Sequence, residues 1–178
     1  MGSPVIRERI AADLTACAEM LRAVHDHDGY PSRWPEDPVA WLSPEGLLTA
    51  WVATGRGGEV LGHVALRRAT PRDDLPALWA AAGTGPGGLA FVARLFVAPA
   101  GRGSGAAGAL LRVAAEHAHR RGSRAALDVA AGATAAVRLY EREGWQRVAT
   151  LPAFWQDGRG EDPPMHVYLS PAPSLNPA

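Results

Sequence analysis

The chain has 178 residues, 47% of them hydrophobic, and a formal net charge of zero. This length and apolar content suit one domain with a sizeable core. The balanced charge gives no electrostatic case for binding nucleic acid or an anionic membrane. Cys17 is the only cysteine, which excludes an intramolecular disulfide and a cysteine-based zinc cluster. We expect its thiol to be buried in the core.

The N-terminal residues carry no apolar signal segment. No window holds about 18 uninterrupted apolar residues, which is the length that a membrane-spanning helix needs. These two features predict a cytoplasmic protein without a membrane partner.

Hydrophobic periodicity predicts the elements of the first half of the chain. Val5 to Ile10 is typical of a short strand, and Asp13 stands at the N-cap position of a helix with one apolar stripe. A proline-broken loop follows. Gly46 to Thr54 and Val60 to Leu66 then form a predicted hairpin around a glycine-rich turn.

A long polar connection, Thr70 to Gly88, opens the second half and contains a short helical pattern at Leu75 to Ala82. The elements predicted after it are a strand from Leu89 to Val97, a helix from Ser104 to Arg121, a strand from Ala125 to Val129, a helix from Thr134 to Glu143, and strands from Trp145 to Leu151 and from Met165 to Leu169. This order predicts a mixed α/β sheet, because a doubly wound dinucleotide fold needs repeated strand–helix alternation. We expect one domain over residues 1–170 and a disordered, proline-rich tail over residues 171–178.

A glycine-rich loop, Pro99 to Gly105, separates the strand at Leu89 to Val97 from the helix that follows. Free N–H groups at a helix N-terminus attract anions, and the helix dipole adds to this attraction. The glycines allow a ligand to approach the backbone closely, and Arg102 adds a permanent positive charge. The loop therefore predicts a phosphate or pyrophosphate site.

Two motifs can be read in this loop. Gly103 to Gly108 is formally G-x-G-x-x-G, and Asp128 follows about 20 residues later, as in dinucleotide-binding proteins. Arg102-x-x-Gly105-x-Ala107 instead resembles the R/Q-x-x-G-x-G/A signature of the GNAT superfamily of acyl-CoA-dependent N-acetyltransferases. The spacing favours the second motif, because in the dinucleotide fingerprint the strand runs almost directly into the first glycine.

A downstream segment strengthens the resemblance to the GNAT superfamily. Leu127-Asp128-Val129 and then Leu139-Tyr140, followed by Gly144-Trp145, resemble the pattern L-x-V, N-x-x-A-x-x-L-Y-x-x-x-G-F. Ala133 departs from the usual Asn, and Thr134 stands beside it. The element order matches over about residues 5–170. The resemblance implies a single GNAT-like domain, with a mixed, mostly antiparallel sheet of about seven strands that includes a splayed parallel pair flanked by helices.

The resemblance also implies acetyl-CoA as co-substrate and no metal. The pyrophosphate would be held by backbone N–H groups of the loop, and the pantetheine arm would pair with the end of the preceding strand like an added strand. The implied cofactor-binding residues are Phe96, Val97, Ala98, Arg102, Gly103, Ser104, Gly105, Ala106, Ala107 and Thr134.

Tyr140 and Asp128 are the catalytic residues that we predict. By resemblance to the family, the Tyr140 hydroxyl donates a proton to the departing thiolate of CoA. A carboxylate at Asp128, if buried, would have a raised pKa and could take the proton from the amine through water. Asp128 could instead be a structural partner of a loop N–H or of an arginine.

Tyr30, Trp34 and Arg94 are the residues that we expect to line the acceptor site. Arg94 would pair with Asp128 or bind a substrate carboxylate. His25-Asp26-His27-Asp28 looks like a metal-binding run, but no second ligand cluster accompanies it. We interpret this run as a solvated turn just past a helix end, with a role in substrate recognition or as the general base as the alternative.

The predicted activity is transfer of the acetyl group from acetyl-CoA to a primary amine of a small molecule by a monomer or homodimer. Acetylation of a protein N-terminus or lysine remains an alternative within the family. A non-catalytic acyl-CoA-binding or sensing module and a nicotinamide-dependent oxidoreductase are alternatives outside it.

Overall fold

The computed structural model describes residues 3–73, 75–153 and 161–172. Over these residues the chain forms a seven-stranded sheet. In spatial order its strands are β1 (Val5–Glu8), β2 (Leu47–Thr54), β3 (Val60–Arg68), β4 (Leu89–Val97), β5 (Arg124–Ala130), β7 (Pro164–Leu169) and β6 (Gln146–Pro152). One pair of strands is parallel and the other described pairs are antiparallel. The predicted fold class is therefore confirmed. Residues 173–178 of the predicted tail lie outside the described part of the chain.

The described parts of residues 1–68 and 92–114 form one compact unit. Its helices and strands are β1 (Val5–Glu8), α1 (Leu14–Asp28), α2 (Pro38–Trp41), β2 (Leu47–Thr54) and β3 (Val60–Arg68). The apolar stripe of α1 forms its core because those residues recur at helical spacing. The buried residues of this core are Cys17, Met20, Leu21, Val24, Leu42, Val52 and Phe96.

The start of α1 differs from the prediction. Asp13 occupies the N-cap position, but its side chain makes no capping bond to α1. Its carboxylate instead accepts the Ile10 N–H at 2.8 Å and forms two hydrogen bonds of 2.7 Å with Arg7. The Arg7 guanidinium lowers the pKa of Asp13. Asp13 therefore joins the strand β1 to a short 3₁₀ turn rather than capping the helix.

The described parts of residues 69–91 and 115–178 form the second compact unit. It contains α3 (Pro76–Ala82), β5 (Arg124–Ala130), α5 (Thr134–Arg142), β6 (Gln146–Pro152) and β7 (Pro164–Leu169). Strand β7 pairs antiparallel with both β5 and β6. The buried residues of this core are Leu78, Leu89, Phe91, Ala126, Ala153, Met165, Val167 and Leu169.

Strand β4 (Leu89–Val97) and helix α4 (Ala106–Arg120) carry the predicted phosphate loop between them. The parallel ladder of β4 with β5 joins the first three residues of each strand, Leu89–Phe91 and Arg124–Ala126. The distal part of β4 belongs to the first unit. No helix in the described ranges is long and apolar enough to cross a membrane.

Candidate active site

The loop after β4 begins with two backbone contacts. The Ala98 N–H donates to the Leu61 carbonyl at 2.8 Å, and the Gly101 N–H donates to the Ala98 carbonyl at 2.8 Å. Gly101 is buried, and a Cβ atom on it would lie 3.0 Å from the Leu61 oxygen. A glycine is therefore needed here because the loop lies directly against β3.

Gly103 and Gly105 give the loop its turn. Their φ angles are +76° and +84°, in the left-handed region that side chains disfavour. Helix α4 consequently begins at Ala106, two residues later than predicted. The first bond into the helix runs from the Ala109 N–H to the Gly105 carbonyl at 3.0 Å. The Ala107 N–H therefore has no carbonyl four residues back within the helix and can face an anion. The Ser104 N–H donates to the Gly101 carbonyl and the Ala106 N–H to Ser104 Oγ, both at 3.4 Å.

Arg102 in the loop forms an ion pair with Asp28. The sequence predicts that Asp28 lies in a solvated turn past the helix end, but α1 runs through Asp28 and ends at Gly29. The described residues hold no group of three or more His, Cys, Asp or Glu side chains that could bind a metal ion. The last turn of α1 thus contacts the phosphate loop.

Tyr140 lies on α5 and is buried, with 7% of its surface exposed. Its ring centroid is 5.6 Å from that of Tyr168 and 6.3 Å from that of Trp145. The Trp145 N–H donates to the Tyr140 carbonyl at 2.9 Å. The glycine–aromatic ending of the sequence motif therefore packs against the tyrosine, which fixes the ring.

An aromatic group that we call the Trp41 cluster lies beside the distal part of β4. It consists of Tyr30, Trp41, Phe96 and the guanidinium of Arg94. The Arg94 guanidinium carbon is 3.7 Å from the Trp41 ring centroid, and its Nε donates to the Trp41 carbonyl at 3.2 Å. The Tyr30 ring is 6.0 Å from Trp41 and 6.3 Å from Phe96, and 36% of Tyr30 is exposed.

The sequence model of the Acetyltransferase (GNAT) family matches residues 12–145, which include this loop and Tyr140. The chain belongs to the GNAT acetyltransferase family. It is an acetyl-CoA-dependent N-acetyltransferase. A sequence search of curated proteins found no match.

Solved structures share the GNAT fold with this chain. The ribosomal-protein-S18-alanine N-acetyltransferase from Escherichia coli is 18% identical, with a TM-score of 0.67 and 97% of each chain covered. NAA60 from Arabidopsis thaliana with a bisubstrate analogue is 19% identical, with a TM-score of 0.73, over 94% of this chain and 97% of that one. A second structure of NAA60 contains acetyl-CoA, with a TM-score of 0.71. A GCN5-related N-acetyltransferase from Kribbella flavida is 23% identical, with a TM-score of 0.68, over 96% and 98% of the two chains.

Asp128 of this GNAT enzyme is half-buried. It lies opposite Val167 in the β5–β7 ladder, whereas Leu127 lies opposite Tyr168. Since neighbouring residues of a strand point to opposite faces, Asp128 and Tyr168 lie on opposite faces of this pair. Tyr140 packs against Tyr168. The role of Asp128 as a base stays a prediction.

The structure also defines the surroundings of two more predicted site residues of this GNAT enzyme, Thr134 and Trp34. Thr134 is exposed at the start of α5, and its N–H donates to the Gly132 carbonyl at 2.9 Å. The N-cap residue of α5, Ala133, makes no side-chain capping bond, which accords with the missing Asn of the family pattern. Trp34 packs against His25, with ring centroids 5.1 Å apart. The guanidinium carbon of Arg22 lies 3.6 Å from the centroid of the Trp34 ring.

His63 of the GNAT enzyme lies on β3 and is fully buried. Its Nε2 accepts from Arg9 Nη1 at 2.9 Å, because a guanidinium has no acceptor. Its Nδ1–H therefore donates to the Arg94 carbonyl at 2.9 Å. Burial lowers the pKa of His63 to about 4, so the imidazole is neutral at pH 7. The sequence gives no signal for these partners, which come from distant segments.

Proposed function

We propose that this enzyme transfers the acetyl group of acetyl-CoA directly to the primary amine of a small molecule. The Trp41 cluster is the observation that carries this choice of acceptor. Its exposed tyrosine ring and stacked arginine would give a small organic amine an apolar contact and a cation. Zero net charge gives no support for a polyanionic acceptor such as a transfer RNA.

The proposed cofactor site uses the phosphate loop and the end of β4. Within the run from Arg102 to Ala107, the N–H groups of Gly103, Gly105 and Ala107 would bind the pyrophosphate, helped by the N-terminus of α4. The N–H groups of the other three residues donate within the loop at 3.3–3.4 Å. Within the segment Phe96 to Ala98, the Val97 backbone would hydrogen-bond the pantetheine arm as an added strand, because the Ala98 N–H donates to the Leu61 carbonyl and the Ala98 carbonyl accepts from the Gly101 N–H. The left-handed glycines of the loop support this assignment because they open the backbone to a ligand.

The proposed reaction is a direct attack of the neutral amine nitrogen on the thioester carbonyl carbon. A backbone N–H near Val97 would stabilise the oxyanion. When the carbon–sulfur bond breaks, Tyr140 would give its proton to the thiolate. The proton lost by the amine would leave to water. Asp128 lies on the face of the β5–β7 pair opposite Tyr168, so as the proposed base it would take this proton only through that water and not by direct contact.

Arg94 is the proposed specificity residue for the acceptor. A fixed cation disfavours a second positive charge nearby, so it favours the neutral form of the amine, which is the nucleophile. It can also form a charge-assisted hydrogen bond with a substrate carboxylate. An amine that carries a carboxylate, such as an amino acid, satisfies both conditions.

An amine panel with acetyl-CoA, followed by release of free thiol, tests the proposed function. The panel pairs each amino acid with the amine made by removing its carboxylate, and adds polyamines and short peptides. We expect the highest kcat/KM with carboxylate-bearing small amines. Arg94→Gln should remove the preference for the carboxylate, whereas Arg120→Gln, on the exposed side of α4, should leave it unchanged.

Other outcomes of the panel separate the alternatives. Turnover confined to peptides with a free N-terminus or a lysine would assign a protein substrate, as the name of the Escherichia coli enzyme describes for that protein. Binding of acetyl-CoA without turnover on any amine would assign a non-catalytic module. Sedimentation would decide between the proposed monomer and homodimer, and fractionation of cells would test the proposed cytoplasmic location.

A further inference from the structure

Arg94 is the residue of β4 with an unusual backbone. Its φ angle is +55°, in the left-handed region that residues other than glycine rarely adopt. Such a conformation persists only where surrounding groups hold it. Phe96, two residues further on, begins the segment Phe96–Ala98 to which we assign the pantetheine arm.

His63 holds this part of β4 in two ways. Its Nδ1–H donates to the Arg94 carbonyl at 2.9 Å. Its ring also stacks on the Phe96 ring, with centroids 5.2 Å apart and an angle of 29° between the planes. The imidazole thus contacts both the left-handed residue and the first residue of the proposed cofactor strand.

The other side of His63 is fixed by Arg9. Arg9 Nη1 donates to His63 Nε2 at 2.9 Å and to the Leu42 carbonyl at 2.7 Å. Arg9 Nη2 donates to Ser43 Oγ at 2.8 Å. The guanidinium supplies only donors, so it leaves the imidazole with a single hydrogen, on Nδ1, aimed at Arg94. The tautomer and the ring orientation are therefore both set by Arg9.

We propose that His63 is a positioning residue for acetyl transfer: locked by Arg9, its Nδ1–H holds the left-handed Arg94 backbone and so orients Phe96–Ala98 for acetyl-CoA. The proposal rests on the proposed function, because it takes that segment as the pantetheine strand. His63 touches no reacting atom in this scheme. It acts through the β4 backbone, and a small misplacement of that backbone lowers the rate of a positioned reaction by up to about 100-fold.

The test compares His63→Asn with His63→Gln. The Asn amide nitrogen is bonded to Cγ, as Nδ1 is, so it can donate to the Arg94 carbonyl; the Gln amide nitrogen lies one bond further out and cannot take the same place. We expect His63→Asn to keep kcat/KM for acetyl-CoA within about 5-fold of wild type, and His63→Gln to lose about 10- to 100-fold. His63→Leu, which removes both bonds, should lose at least as much where it folds.

His166→Leu is the matched control. His166 also lies on a strand and bonds an arginine and a threonine, Arg147 at 3.2 Å and Thr150 at 2.9 Å, but we assign it no part in the site. We expect its kinetics to stay within 2-fold of wild type. Thermal unfolding of each variant shows whether it is folded. The values of kcat/KM for acetyl-CoA are then compared between variants of equal melting temperature.

Long-range ¹H–¹⁵N spectra of the imidazoles add a readout that does not depend on turnover. We expect His63 to carry its proton on Nδ1 at pH 7, and the Nε2 tautomer would overturn the proposal. Equal kcat/KM for the Asn and Gln variants would overturn it as well. Failure of the proposed function itself is distinct, since it would appear in the wild-type protein as absence of acetyl-CoA binding or turnover.

Discussion

A single residue, Arg94, combines a strained backbone with two stabilising contacts. A non-glycine residue in a sparsely populated region costs about 1–3 kcal/mol. The hydrogen bond that its carbonyl accepts from His63 and the stacking of its guanidinium on Trp41 offset part of this cost. The sequence predicts a role for the charge of Arg94 but gives no signal of its left-handed backbone, because that backbone angle depends on contacts from β3 and α2.

At the scale of single residues, we also expect His63 to make the free energy of unfolding of the protein depend on pH. The pKa of His63 is about 4 in the folded chain and about 6.5 when unfolded. Between these values the unfolded chain binds a proton that the folded chain does not, so stability falls as the pH falls from about 6.5 to 4. The loss reaches at most about 3 kcal/mol.

Urea unfolding of the wild type and of His63→Asn at pH 6.5 and 4.5 measures this effect. The variant should lose less stability on acidification than the wild type. Burial also lowers the pKa of His119, but that contribution is common to both proteins and cancels in the difference. Equal losses in the two proteins would contradict the expectation.

Tyr140→Phe should lower kcat by about 100-fold or more, since general-acid groups contribute about 10²–10⁴-fold. The affinity for acetyl-CoA should stay similar, because the ring still packs against Tyr168 and Trp145. Steady-state kinetics and calorimetry of acetyl-CoA binding measure the two quantities separately. Unchanged turnover on the best amine would remove the proposed role.

Gly62→Ala should destabilise the protein by about 1–3 kcal/mol through overpacking. A Cβ atom at Gly62 would lie 2.9 Å from Leu110 Cδ1 and 3.3 Å from the Phe96 carbonyl oxygen. Gly87→Ala is the control, because a Cβ atom there has no described neighbour within 4 Å and its φ is not positive. Denaturant unfolding of both variants measures the difference; equal stabilities would contradict this packing.

At the scale of elements, the phosphate loop combines two anchors with two left-handed turns. Gly101 holds it against β3, and the Arg102–Asp28 ion pair ties it to α1. The ion pair is partly exposed, so it contributes little to stability. The glycine turns at Gly103 and Gly105 therefore give the loop its shape.

Gly105→Ala should weaken acetyl-CoA binding by about 10-fold or more, because an L-residue disfavours φ of +84° by about 1–2 kcal/mol. Gly83→Ala is matched to it: Gly83 has φ of +65°, ends α3, and also has open space around its Cβ position. Both variants should lose similar stability, but only Gly105→Ala should raise the Kd. Equal dissociation constants of the two variants for acetyl-CoA, measured by calorimetry, would contradict the proposal that this loop binds the cofactor.

The sequence predicts most elements, because each has a clear apolar period and glycine or proline at its ends. Its errors lie where the ends depend on geometry. Helix α4 starts at Ala106 rather than Ser104 because two residues before it adopt left-handed φ. Helix α1 continues through Asp28, and Asp28 pairs with Arg102, far away in sequence. The loop motif can be recognised from the sequence because it is local. The partners of Arg9, His63 and Asp28 cannot be predicted in this way, because they come from distant segments.

On the scale of the whole molecule, binding of acetyl-CoA should raise the melting temperature. A ligand at about 100 times its Kd stabilises the folded state by about 2.7 kcal/mol. NAD at the same concentration should leave the melting temperature unchanged, because the chain belongs to the GNAT family and its sheet lacks the alternation of a dinucleotide fold. A thermal-shift comparison of the two ligands measures this, and a shift with NAD alone would contradict it.

The buried Cys17 has a practical consequence. It is the sole cysteine of the chain, it is fully buried on the core-facing side of α1, and burial raises the pKa of its thiol to about 11. Thiol reagents react with thiolates, so the native protein contributes almost no background when coenzyme A release is followed colorimetrically. A cysteine introduced on the surface would likewise be the one labelled position, which makes this chain a convenient host for single-site fluorophores.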